Sequence, residues 1–271
     1  MSERLHERPA STVAVTERVA TFEGTTPAAP SMGRLTVVEL RKMADTRAGR
    51  WLLASIGLIV VTLVTVRVFS GSADDRNVES FLSFATGGVS VLLPVLGILA
   101  VTSEWGQRTA LTTFALVPRR SRVITAKLLA ALVITVLSVV VCVAVALLGN
   151  LAAELLNRGG GWELGVDAVL YTFLFQLLNM LLGIAFGALL LASGLAIVLY
   201  FVIPTVWTVL GSTITALKDA AGWFDLTTTT EPLITGSMVG DDWARLAVSA
   251  ALWVFLPLAV GLIRVLRQEI K

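Results

Sequence analysis

Apolar residues run almost unbroken through six long stretches of this chain, and the polar positions fall between the stretches rather than alternating within them. A helix at the surface of a soluble protein repeats its apolar residues every three or four positions, and a half-buried strand every second one. Stretches that are apolar on every side predict helices enclosed all round by protein or lipid. The six are Trp51–Phe69, about Phe84–Thr102, Val123–Gly149, Ala168–Leu191, Leu195–Thr213 and Trp243–Leu266. At 1.5 Å per residue each crosses a hydrocarbon core of about 30 Å. Pro94 and Pro257 sit inside the second and the sixth, while Ala192, Ser193 and Gly194 make the only break between the fourth and the fifth. That break predicts a tight turn, with one long kinked segment as the alternative. Gly183 and Gly187 form a GxxxG pair of the kind that lets a neighbouring helix approach closely.

The segments between the stretches carry their own patterns. Residues 1–32 hold Pro9, Pro27 and Pro30 with scattered charge and no apolar period, which predicts a disordered tail. In residues 36–50, Thr36 and Glu39 fit a capping box, and Val37, Leu40, Met43 and Ala44 recur at helical spacing among Arg41, Lys42, Arg47 and Arg50. A short basic amphipathic helix at the membrane surface is predicted there. Residues 103–127 are too long for a simple connection. Ala110, Leu111, Phe114 and Val117 fall on one arc of a helix and Arg108, Thr109 and Thr112 on the other, giving a helix over about 104–117 that Pro118 ends. Arg119, Arg120 and Arg122 follow at the membrane surface, and Lys127 is placed to snorkel from the start of the third span. Attraction to anionic lipid explains the arginines but not the threonine-rich helix before them. Residues 214–242 mix Leu217, Trp223, Phe224, Leu226, Leu233 and Ile234 with a TTTTEP run. They predict either short helices dipping into the outer leaflet or an aromatic interface anchor.

Composition agrees with the pattern. With 56% hydrophobic and 15% charged residues, the chain is far too apolar and charge-poor for a soluble domain. The placement of charge sets an orientation. Arg34, Arg41, Lys42, Arg47, Arg50, Arg108, Arg119, Arg120, Arg122, Lys127, Arg264, Arg267 and Lys271 gather on one side, and Asp74, Asp75, Glu79, Asp219, Asp225, Glu231, Asp241 and Asp242 on the other. The positive-inside rule then puts both termini in the cytoplasm. The expected fold is all-α: a polytopic membrane protein with six transmembrane helices and an amphipathic helix before them, residues 33–271 forming one domain. The multi-pass chain is expected in a bacterial cytoplasmic membrane.

Chemistry is limited by what the chain lacks. His6 is the only histidine and lies in the polar tail, which removes Ser-His and Cys-His pairs and histidine metal clamps. Cys142, the only cysteine, lies in an apolar run and reads as a small core residue. Lys42, Lys127 and Lys218 are followed by Met, Leu and Asp, so none belongs to a Walker A phosphate loop. No catalytic residue, metal site or nucleic-acid partner is expected. The centres of the spans hold no ionisable residue, which disfavours ion-coupled transport; Gln176 and Asn179 are the polar exceptions. They sit three apart on one face, either to line a pathway or, more simply, to bond across to another helix.

Glu104–Trp105, Arg108–Thr109, Leu111–Thr112, Pro118–Arg120 and Lys127, together with ELRK at 39–42 ahead of Trp51, resemble the pattern of type-2 ABC exporter membrane subunits over about residues 33–271. The resemblance implies a half-transporter that pairs with a second permease subunit and with separate ATPase subunits, which hold the ATP and magnesium. It makes the helix at 104–117 a coupling helix, and 36–50 an elbow helix with Glu39, Arg41 and Lys42. Glu104, Trp105, Arg108, Thr109, Pro118, Arg119, Arg120 and Arg122 become the ATPase-docking surface. The second and fifth spans become pathway walls, with Leu92, Leu93, Val206 and Trp207 beside Gln176 and Asn179 as lining candidates. Two other functions stay open: an ATP-independent channel or facilitator, and a structural or regulatory membrane protein that recruits a cytoplasmic partner.

Overall fold

The computed structural model describes residues 30–70, 76–107 and 119–268. The described residues are helical, with one isolated backbone bridge between Asn77 and Gly161. Helix α1 spans Met32–Asp45 and α2 Arg47–Phe69. Then come α3, Val78–Gly106, and α4, Arg120–Leu155, followed by α5, Val166–Leu190, and α6, Ser193–Thr213. A 3₁₀ turn at Thr215–Leu217 leads into two short helices, α7 (Lys218–Phe224) and α8 (Leu226–Thr235). Helix α9 (Asp242–Ala250) continues through a π turn at Ala251–Phe255 into α10, Leu256–Arg267. Among the described residues, six helices are long and apolar enough to cross a membrane: α2 to α6, and α9 with α10 taken as one. The chain is a multi-pass helical membrane protein.

The predicted spans are all present, and most of their ends extend past the apolar stretches. Helix α4, with 36 residues, is about 54 Å long and overshoots the hydrocarbon core. Three boundaries differ from expectation. The first helix begins four residues before Thr36. The Ser31 side chain accepts from the Arg34 N–H as its N-cap, and the Thr36 hydroxyl donates to the Met32 carbonyl inside the helix, so there is no Thr36–Glu39 capping box. The helix also stops at Asp45. Thr46 caps α2 by accepting from the Gly49 N–H, which moves Arg47 and Arg50 onto the first turn of the span. A side chain at 49 would run into the Met43 carbonyl, so the close turn between α1 and α2 needs glycine there. The break between fourth and fifth spans falls at Leu191 and Ala192, with Leu191 left-handed; Ser193 and Gly194 already belong to α6.

Helices α3 and α5 form the centre: 61% of the apolar stretch of each is buried, against 17% for α2 and α6. The GxxxG pair explains how two central helices pack so closely. A Cβ on Gly183 would sit 2.2 Å from the Pro94 carbonyl, and one on Gly187 would sit 3.0 Å from that of Ile98. From the other side, a Cβ on Gly97 would lie 2.9 Å from the Met180 carbonyl. Bare backbone on both helices gives the contact area that association in lipid depends on, where apolar burial drives little.

At the end carrying the acidic residues, 214–242 is folded onto the bundle rather than left as a loop. Asp225, 1% exposed, caps α8 by accepting from the Thr227 N–H, and it also accepts from the hydroxyls of Thr228 and of Thr208 on α6. Thr229 bonds Ser249 on α9 at 2.5 Å, and the Trp253 indole donates to the Phe224 carbonyl. These bonds supply partners for the threonines of the TTTTEP run and make 215–235 a structured cap.

Candidate functional site

Four charged side chains meet at the opposite, basic end. Glu39 and Lys42 come from α1, Glu104 from the last turn of α3, and Lys127 from the second turn of α4. Lys42 Nζ donates to Glu39 Oε1 and Glu104 Oε1, both at 2.7 Å. Lys127 Nζ lies 2.6 Å from Glu39 Oε2 and 3.0 Å from Glu104 Oε1, and donates also to the Ala100 carbonyl at 3.0 Å. The four close a ring of alternating sign with no net charge. Glu39, Glu104 and Lys127 are buried, and only the Lys42 side chain reaches water appreciably, at 39% exposure.

Each member is brought in by its own helix. Glu39 lies on the face of α1 that also buries Met43, opposite exposed Arg34 and Arg41. Glu104 stands near the end of α3, and Lys127 is carried inward with Val123, Ala126 and Ala130 on the buried stripe of α4. Burying charge is costly unless each group meets both an opposite charge and hydrogen bonds. The ring provides this, since every ammonium touches two carboxylates and each carboxylate two ammoniums. Burial by itself would lower the Lys42 pKa. Hydrogen bonds to Glu104 and Glu39, and their negative charge, outweigh burial and hold it above the ordinary lysine value of 10.5.

A recess of about 210 Å³ adjoins the ring, walled by Lys42, Met43, Gly49, Leu96, Ser103 and Ser193 among others. Behind its wall the buried Thr102 hydroxyl bonds that of Ser193 at 2.7 Å, tying the end of α3 to the start of α6. Three arginines of this end grip backbone carbonyls. Arg120 donates to Leu266 and Gln268 at the end of α10, Arg122 to Pro30 ahead of α1, and Arg264 to Leu189 at the end of α5. Helix ends expose carbonyls that lack partners within the helix, and a cation there satisfies them and suits the dipole.

Set against expectation, the placement is mixed. Arg108, Thr109, Pro118 and most of the helix expected over 104–117 lie outside the described residues. Glu104, expected on a docking surface, is turned inward and 6% exposed. Lys127, expected to snorkel, is buried in the same ring. Arg120 and Arg122 bind this chain's own backbone, whereas Arg119 and Arg41 are exposed. Trp105 is half-buried, lining a crevice with Val123, Ile124, Leu128 and Leu262. The pathway candidates do not share one environment: Leu93 is 1% exposed in the core, and Val206 is 49% exposed on α6. Gln176 and Asn179 reach different helices. Gln176 is fully buried, accepting from Ser138 and donating to Cys142 on α4, while Asn179 accepts from Tyr200 on α6. The bond across to another helix is thus the arrangement found.

Sequence reasoning missed the pairing within the ring. The signal was present in kind: two acids and two bases in otherwise apolar or basic surroundings at one end, whose charges cancel. Comparison adds no family: no protein-family model matches this sequence, and no curated protein matches it.

Proposed function

We propose that this chain is the membrane-spanning permease subunit of an ABC exporter, moving its substrate by alternating access that a separate ATPase subunit powers. One observation carries the reading. The four-charge ring joins the basic helix α1 to the last turn of α3 and the start of α4, the two helices that flank residues 108–118. A push delivered to that connecting segment from a cytoplasmic partner would reach α1, α3 and α4 together, because buried ion pairs resist being separated one at a time. Such a linked element is what a permease needs to convert closure of its ATPases into movement of its spans. In this reading Glu104 serves as an internal link, and docking falls to Arg108, Thr109, Pro118 and exposed Arg119, with two permease copies or two related chains around the pathway.

Gln176 and Asn179, lining candidates under either transport reading, are engaged in bonds between helices and so do not separate the permease from the facilitator.

The test is reconstitution of the full chain with a Walker-A-containing ATPase encoded beside it. Co-purification, and ATP hydrolysis that changes when the permease is present, are the expected results, with Arg108→Glu lowering both. Transport by the chain alone would establish the facilitator, and stable binding without any ATP-dependent movement the recruiting protein. ATPase binding and stimulation that survive both Arg108→Glu and Glu104→Arg would overturn the coupling role given to this end.

A further inference from the structure

One face of α2 is turned away from the bundle. Arg47, Arg50, Trp51, Ala54, Leu58 and Val61 follow at helical spacing and fall within an arc of about 100°. Ile56 and Val60 occupy the opposite face, with Val64 on its flank, and all three are buried against the bundle. Along the outward arc everything is exposed, Trp51 by 74%, Leu58 by 69% and Val61 by 54%. Arg47, Arg50, Trp51 and Ala54 line an open recess of about 530 Å³. Neither guanidinium has a hydrogen-bonding or ion-pair partner among the described residues, in contrast to Arg120, Arg122 and Arg264 at the same end.

From these observations we infer that the Arg47–Arg50 pair and the groove below it form a binding site for an anionic phospholipid. The phosphate-bearing headgroup sits between the two guanidiniums, and one acyl chain descends past the indole of Trp51 and over Ala54 onto Leu58 and Val61. A guanidinium pair offers several N–H donors to phosphate oxygens in a fixed fork. The indole belongs at the boundary between headgroup and acyl chain, and the small Ala54 leaves the recess open. Charge decides between occupants. A second copy docked symmetrically about this face would bring like-charged arginine pairs together, whereas an anionic headgroup neutralises them. The inference is independent of the transport reading, since it rests on α2 alone.

The test compares retention of phosphatidylglycerol and phosphatidylcholine with identical acyl chains by the purified full chain, read by native mass spectrometry. About thirtyfold preference for phosphatidylglycerol is expected, from two basic contacts of about 1 kcal/mol each. Arg47→Gln/Arg50→Gln should abolish it, while the charge-matched Arg34→Gln/Arg267→Gln should not. Should the first variant fail to fold, Ala54→Trp keeps both guanidiniums and fills the recess, and it too should remove the preference. Equal retention of the two lipids by the unaltered chain, or preference that survives in Arg47→Gln/Arg50→Gln, overturns the site. So does efficient disulfide linkage of two Trp51→Cys copies in native membranes, which would mark this face as an interface between chains.

Discussion

At the residue scale, Lys127 shows how differently one side chain reads in sequence and in space. A lysine near a span end is ordinarily placed to reach the interface, yet here it turns inward to two carboxylates from other helices. Lys127→Met leaves Glu39 and Glu104 facing one another with Lys42 alone between them. A loss of about 3 kcal/mol in unfolding free energy in detergent is expected, the typical cost of stranding a buried charge. Glu104→Gln/Lys127→Met removes one charge of each sign and keeps the Lys42–Glu39 pair. It should be less destabilised than the sum of the single variants by about 1–3 kcal/mol. The sign of the alkaline pH effect follows from Lys42. Its folded pKa is raised, so its contribution is complete below 10.5 and fades only as pH climbs through the higher folded value. The stability difference between the unaltered chain and Lys42→Met should therefore stay flat through neutral pH and shrink only in strongly alkaline buffer.

At the scale of elements, the spans were legible because lipid demands continuous apolar helix, and few sequences satisfy that by accident. The packing between spans was far less legible. Gly183 and Gly187 look like many glycine pairs in membrane helices, and only the neighbouring backbone of Pro94 and Ile98 shows that they are a contact. Gly183→Val should separate α3 from α5 and lower stability by about 1–3 kcal/mol, measurable as a fall in melting temperature in detergent. Gly57→Val, where an added side chain meets open space, should cost far less. The ring escaped sequence reading for a related reason. Glu39 and Lys127 stand 88 positions apart, and spacing along a chain carries no information about which helices adjoin.

For the molecule as a whole, the clearest sequence signal was the division of charge between the two ends, and it makes a prediction the fold alone does not. If basic residues mark the cytoplasmic side, a cysteine at Ser237 should react with a membrane-impermeant thiol reagent in intact cells, and one at Ser121 should react only after lysis. Both positions are exposed, and native Cys142 is fully buried and leaves the background quiet. The reverse labelling pattern would invert the topology and with it the side from which a partner docks.

The π turn in the last span has a consequence for how this helix tolerates changes of length. Leu246 and Leu258 are both buried, twelve positions apart. In an uninterrupted α-helix that separation would rotate the second away from the first by about 120°. A π turn absorbs one residue, about 100° of that rotation, and so keeps the two on one stripe. The turn at Ala251–Phe255 thus behaves as a tolerated insertion, a surplus residue stored in the backbone. Deleting exposed Leu252 should yield a plain α-helix with the same buried stripe and a chain that still folds. Deleting Val260, just beyond it, should swing Gly261 off its contact with Ala188 and Arg264 off the Leu189 carbonyl. Expression and size-exclusion behaviour of the two single-residue deletions should separate them: the first monodisperse, the second aggregated.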